Sequence, residues 1–87
     1  MEKIRVEIRE KIGIIREYPT GWNKEMNIVS WNDGLAKYDI REWNSSHERM
    51  SKGITLTEDE IIRLIAIIND KKPEIIKKAF EMKGEGK

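Results

Sequence analysis

The chain contains no cysteine, so disulfides and thiolate metal sites are both excluded. This absence suits a reducing compartment, and a cytoplasmic location is the expectation. Long apolar runs are also missing. The densest, residues 61 to 68, includes Arg63 and falls far short of a membrane span. The first five residues carry scattered charges where a signal peptide needs an apolar stretch. Charge of one sign is lacking too: the net is +1, and residues 1–56 hold ten Lys/Arg against nine Asp/Glu. A nucleic-acid ligand would therefore require its cations to be segregated onto one face. The single histidine, His47, lies in a polar stretch. No nucleophile–base spacing, phosphate-binding glycine loop or metal-ligand cluster accompanies it. A catalytic function has no residues to carry it, and neither cofactor nor metal is implied.

What is present fits one small domain. With 87 residues, of which 38% are apolar, a core can form, though a domain of this size buries only about 60% of its unfolded surface. Self-association would add to it. Residues 2–17 alternate in polarity, with Ile4, Val6, Ile8, Ile12 and Ile14 on one parity, which predicts a long strand bent near Gly13. A turn at Tyr18-Pro19-Thr20-Gly21 leads to a second strand over residues 22–31. Asn32-Asp33-Gly34 predicts a hairpin to a third strand from Lys37. Residues 44–51 read as a polar loop and residues 53–56 as a fourth strand. Thr57 and Glu60 then form a capping box that opens a helix to about Asn69.

The helix is apolar over an arc wider than one sheet requires, from Ile61 through Ile68. A second buried contact is needed. Either the same helix of a second subunit supplies it, giving a homodimer, or the C-terminal segment folds back over it. The homodimer is the reading taken. Pro73 is expected to open a short second helix over residues 74–82, followed by a frayed tail. The domain is thus placed at residues 1–70, with an extension at 71–87.

Lys37, Asp39, Arg41 and Trp43 alternate with Tyr38 and Ile40, so one strand face carries two cations and an indole. Trp31 lies opposite Met26 and Ile28 in parity. A sheet face of cations and aromatics suits an anionic backbone with stackable bases. A tryptophan in a small sheet is ordinarily core, but these two share the polar side, and both are read as stacking platforms. Arg41 can pair with phosphate and stack on a base. Lys37 joins it by parity, and Lys24 by its place just after the first turn. Trp22 either extends the groove or packs under the hairpin. Tyr38 is assigned to the contact between sheet and helix.

Asp39-Ile40-Arg41-Glu42 followed by Trp43, then Lys52-Gly53-Ile54-Thr55-Leu56, resembles the DIRE-aromatic and KGISL motifs of the transcriptional coactivator family named for positive cofactor four. Residues 21–27 and 30–32 are similar to its bacterial, YdbC-type members. The resemblance covers residues 8–68. It implies an α+β fold, a four-stranded antiparallel sheet followed by a helix, dimerised through that helix and binding single-stranded DNA. It further implies that Arg41 and Lys52 meet the phosphate backbone and that Trp43 stands at or beside a stacking aromatic. The expected DNA-binding residues are Lys24, Trp31, Lys37, Arg41, Trp43 and Lys52. The expected role is transcriptional coactivation or replication and repair support. RNA binding and a protein-interaction module are the alternatives.

Overall fold

The computed structural model describes residues 4–85. Four strands form one antiparallel sheet in the order β1-β2-β3-β4: β1 (Val6–Glu17), β2 (Asn23–Trp31), β3 (Lys37–Trp43) and β4 (Ile54–Leu56). One helix, α1 (Glu58–Glu85), follows. The ββββα order and antiparallel pairing agree with the alternation of the sequence. The expected residues Glu2 and Lys3, and the tail residues Gly86 and Lys87, lie outside the described residues.

Turn chemistry sets the registers. Asn32 and Asp33 both adopt positive φ, 51° and 60°, and Gly34 N–H donates to the Trp31 carbonyl at 2.9 Å. Two left-handed residues match the twist of the strands they join. Gly53 is demanded by close approach: a Cβ there would overlap the Ile40 carbonyl oxygen and Arg41 Cβ. The glycine of the Lys52-Gly53-Ile54 motif therefore lets β4 close against β3.

Strand β1 departs from simple alternation. Its register against β2 shifts between Ile8 and Glu10, Lys11 and Gly13, and Ile14 and Arg16. Such bulges bend and overtwist a strand. The sequence suggests a single bend at Gly13; the structure distributes it over three.

The two sheet faces differ from expectation in burial. Cross-strand neighbours place Asn23, Glu25, Asn27, Val29 and Trp31 of β2 on the same face as Trp43, Arg41, Asp39 and Lys37 of β3. This is the aromatic face. It holds Val29 and Asp39 at 0% exposure and Trp43 at 3%, whereas Met26, Ile28, Tyr38 and Ile40 on the opposite face are only half-buried. The loop after β3 folds across the aromatic face, where Ile4, Val6 and Ile8 share one hollow with Trp43, His47 and Met50. The stretch read as a polar loop thus covers Trp43, with His47 and Met50 half-buried against it and residues 45, 46, 48 and 49 exposed.

The helix opens on the expected box. Thr57 N–H donates to Glu60 Oε1 at 2.8 Å, and Glu60 N–H returns to Thr57 Oγ1 at 3.2 Å. It rests against β3 and β4 alone, through buried Ile61 and half-buried Leu64. The predicted second helix over residues 74–82 is corrected: α1 is continuous for 28 residues with Pro73 inside it. Proline deletes one backbone bond, to the Asn69 carbonyl, at about 3 kcal/mol. The lysines, glutamates and alanine around it are good helix formers, and apolar residues keep helical spacing from Leu64 and Ile68 to Ile75 and Ala79. Residues 83–85 stay helical, so the tail that was expected to fray extends the helix. Fold-back of the C-terminal segment is ruled out by the same geometry. Ile62, Ile65, Ile67 and Ile68 remain exposed, Ile62 at 64%. No helix among the described residues is long and apolar enough to cross a membrane.

Candidate nucleic-acid interface

The aromatic face is organised around Asp39. Its carboxylate accepts from Arg41 Nε at 2.6 Å, from a terminal nitrogen of the same guanidinium at 2.8 Å, and from Thr55 Oγ1 at 3.0 Å. The alternation of β3 and its pairing with β4 put these three side chains on one face. Arg41 also donates to the Ser51 carbonyl at 3.2 Å, and its guanidinium carbon lies 4.6 Å from the Trp31 ring centroid. The bidentate pair, both partners largely withdrawn from water, holds the guanidinium over the indole. Lys37 and Leu35 stand exposed beside this stack, and Trp31, Lys37, Arg41 and Thr55 line an open hollow of about 490 Å³.

A second cluster occupies the other end of the face. His47 Nε2 lies 2.9 and 3.0 Å from the two carboxylate oxygens of Glu25. A carboxylate only accepts, so Nε2 carries the hydrogen. The imidazole also stands 5.7 Å, centroid to centroid, from the Trp43 ring at an interplanar angle of 36°. His47 itself adopts φ +60°, held by a turn in which its N–H donates to the Asn44 carbonyl at 3.0 Å. Asn27 Nδ2 donates to Glu25 Oε1 at 3.2 Å. Asn27 Oδ1, Trp31 Nε1 and Trp43 Nε1 are buried and bond to none of the described residues.

The six residues expected to bind DNA are not assembled uniformly. Trp31, Lys37, Arg41 and Trp43 share the aromatic face. Trp43, expected on an open surface, is instead buried beneath the loop, because His47 and the Met50 bridge fold over it. Arg41 is committed to Asp39 and Trp31 and is not a solvated side chain. Lys52 is exposed next to Gly53, at the edge where β4 begins. Lys24 belongs to the opposite face: it pairs with Glu42, and the even positions of β2 point away from Trp31. Trp22 is half-buried at the first turn, its carbonyl accepting from Tyr18 N–H at 2.8 Å.

Sequence reasoning missed Glu25, Asn27 and His47. Glu25 and Asn27 had a usable signal, since they share parity with Trp31 and oppose Met26 and Ile28. His47 had none, because its partner lies 22 residues away and only the fold of the loop brings them together. Among the described residues, no group of three or more potential ligands is placed to hold a metal ion.

Comparison with known proteins bears on this face directly. The sequence model of Transcriptional Coactivator p15 (PC4) matches residues 15–67, more than half of the chain. The chain belongs to the PC4 family. An uncharacterized protein of Treponema pallidum (strain Nichols) is 38% identical over 63 residues, covering 72% of this chain and 74% of that one. The PC4 match begins within β1 and ends within α1, so it takes in most of the sheet and the first turns of the helix. Nucleic-acid binding and a coactivator-like role are the functions that PC4 membership supports. The helix beyond residue 67 is outside the match.

Proposed function

We propose that the protein is a sequence-tolerant single-stranded DNA-binding protein that acts as a homodimer, in transcriptional regulation or in replication and repair. The observation that carries the reading is the Arg41–Trp31 stack, flanked by exposed Lys37, on a sheet face of a PC4-family chain. An aromatic ring fixed beside a guanidinium offers a base a π-face to stack on. Lys37 and Lys52 guide the backbone from the two margins. The mechanism is binding, with no chemistry performed on the strand. A net charge of only +1 is no obstacle, because Asp39 is paired with Arg41 and Glu25 is hydrogen-bonded to His47, whereas Lys37 and Lys52 stand exposed.

The dimer is supported by the helix. Glu58, Asp59 and Glu60 make its first turn acidic, while Lys72, Lys77 and Lys78 lie in its second half. Two copies packed antiparallel would set acid against base and bury the exposed isoleucines between them. Within the cell, the reading places the protein in the cytoplasm. One observation favours a second reading, a protein-interaction module: Ile75, Ile76, Phe80 and Met82 are all exposed on the part of α1 outside the family match.

Titration of labelled oligo-dT against a duplex of equal length tests the proposal. Preference for the single strand, with tryptophan fluorescence quenched, is expected. Equal or stronger binding to duplex would sink it.

A further inference from the structure

The His47 ring makes two contacts at once: an N–H to the Glu25 carboxylate and a ring-to-ring contact with Trp43. A nucleobase in a protein site makes the same two kinds of contact, an edge hydrogen bond and a contact with an aromatic ring, although here the rings are tilted by 36°. From this coincidence we infer that His47 is an internal stand-in for a base, and that the place it occupies is a guanine-preferring pocket within the strand-binding face. The inference rests on the single-strand reading and adds a base preference at one position of it.

Three features of the site support this. The first is the cleft itself, about 330 Å³, between the bulged part of β1 and the loop, lined by Lys11, Ile14, Asn23, Glu25, Asn27 and His47. Its apolar wall comes from β1 and its polar floor from β2. The second is the pattern of unused polar atoms. Asn27 is 1% exposed, its amide nitrogen is spent on Glu25, and its Oδ1 accepts nothing from the described residues. A buried acceptor without a donor is costly, and a site awaiting a ligand explains it. The third is the loop. His47 is a non-glycine residue at positive φ, on a segment whose residues 45, 46, 48 and 49 are exposed. Its release would break the contacts with Glu25 and Trp43 that an incoming base would replace.

The chemistry selects the base. With His47 withdrawn, the site presents the Glu25 carboxylate and Asn27 Oδ1, all acceptors. Guanine alone among the DNA bases has two adjacent donors on its Watson–Crick edge, N1–H and the 2-amino group, which match a carboxylate bidentately. Thymine offers one N–H between two carbonyls that the carboxylate repels. Adenine and cytosine each offer one amino group beside an acceptor nitrogen. Withdrawal of the imidazole also uncovers the Trp43 ring for the same base to stack on.

Anisotropy titrations with oligo-dT, and with the same oligomer carrying one central dG, dA, dC or inosine, decide the matter. The dG oligomer should bind about tenfold tighter than oligo-dT, a discrimination typical of one bidentate contact. Inosine, which keeps N1–H but lacks the 2-amino group, should forfeit part of that gain. Glu25→Gln replaces one acceptor with a donor and should bring the dG and dT affinities together. His47→Ala removes the competitor and should tighten binding of the dG oligomer. Indifference to the base, with oligo-dT still bound, would overturn the pocket and leave the single-strand reading standing. Weaker binding of dG by a folded His47→Ala protein would also overturn it, showing the histidine to be a clasp. Failure to bind any oligomer would overturn the single-strand reading itself, and the pocket with it. Should Glu25→Gln fail to fold, the wild-type base series and inosine decide without it.

Discussion

Arg41 lies with its guanidinium carbon 4.6 Å from the centre of the Trp31 ring while Asp39 accepts two hydrogen bonds from its Nε and a terminal nitrogen. The cation is thereby fixed in place before any ligand arrives. Preorganisation of this kind reduces the ordering cost of binding, since a long side chain need not be immobilised at the moment of contact.

The first consequence concerns Trp43. Its ring is nearly fully buried under His47, so Trp43→Ala should cost about 3–5 kcal/mol, the usual range for a large aromatic removed from a core. Thermal melts should show a large drop in midpoint or loss of the folded state. Trp31→Ala removes a half-buried ring and should instead weaken oligo-dT binding by about one to two decades, as loss of one base stack predicts. An unchanged melting temperature for Trp43→Ala would mean that the loop does not cover the ring in solution.

Gly53 offers a sharper structural test. The Cβ of Gly53→Ala would overlap the Ile40 carbonyl and the Arg41 side chain, and both contacts involve atoms that cannot swing aside. Overpacking of this sort typically costs about 1–3 kcal/mol or more. Circular dichroism melts should show the loss, and β4 should lose protection from hydrogen exchange before β2.

Salt dependence separates the lysines by face. Each phosphate neutralised on a single strand contributes about −0.7 to the slope of log affinity against log salt. Lys37→Ala and Lys52→Ala should each reduce the slope by roughly that amount. Lys24→Ala should leave it unchanged, because Lys24 projects from the opposite face. A slope that responds to Lys24 and not to Lys37 would place the strand on the helix side of the sheet.

The helix carries the fourth prediction. If its exposed isoleucines meet a second copy, the protein should sediment as a dimer at micromolar concentration. Ile65→Asp, which would bury an unpaired charge at that seam, should yield monomer or unfolded chain. Pro73→Ala restores the missing backbone bond and should raise the melting temperature, as the helix gains up to about 3 kcal/mol. A wild type that sediments as a folded monomer would leave the apolar arc to a different partner.

Much of the fold was legible because its signals are local. Period-two alternation marked β2 and β3, Asn32-Asp33 marked the hairpin, and Thr57 with Glu60 marked the helix start. Each depends on residues within a few positions of one another. The errors arose where local signals conflict. Pro73 reads as a helix boundary, yet the propensity of its neighbours carries the helix through. The bulges of β1 shift parity, so counting odd and even positions along that strand could not say which isoleucines face Glu25.

The candidate site divides along the same line. By itself the amino-acid sequence determined that β3 presents Lys37, Asp39, Arg41 and Trp43 on one side and that Trp31 lies on the matching side of β2, since backbone geometry alone alternates side chains. It also determined, through Gly53, where β4 can approach β3. Which of those side chains meets solvent was decided only by the tertiary structure. A polar loop of eight residues carries no periodic signal, yet its path across the sheet buries Trp43, brings His47 to Glu25, and leaves Lys37 exposed. Burial of a sheet face depends on what folds over it, and here the cover is a loop that begins just after Trp43 and reaches Glu25, 22 residues away in sequence.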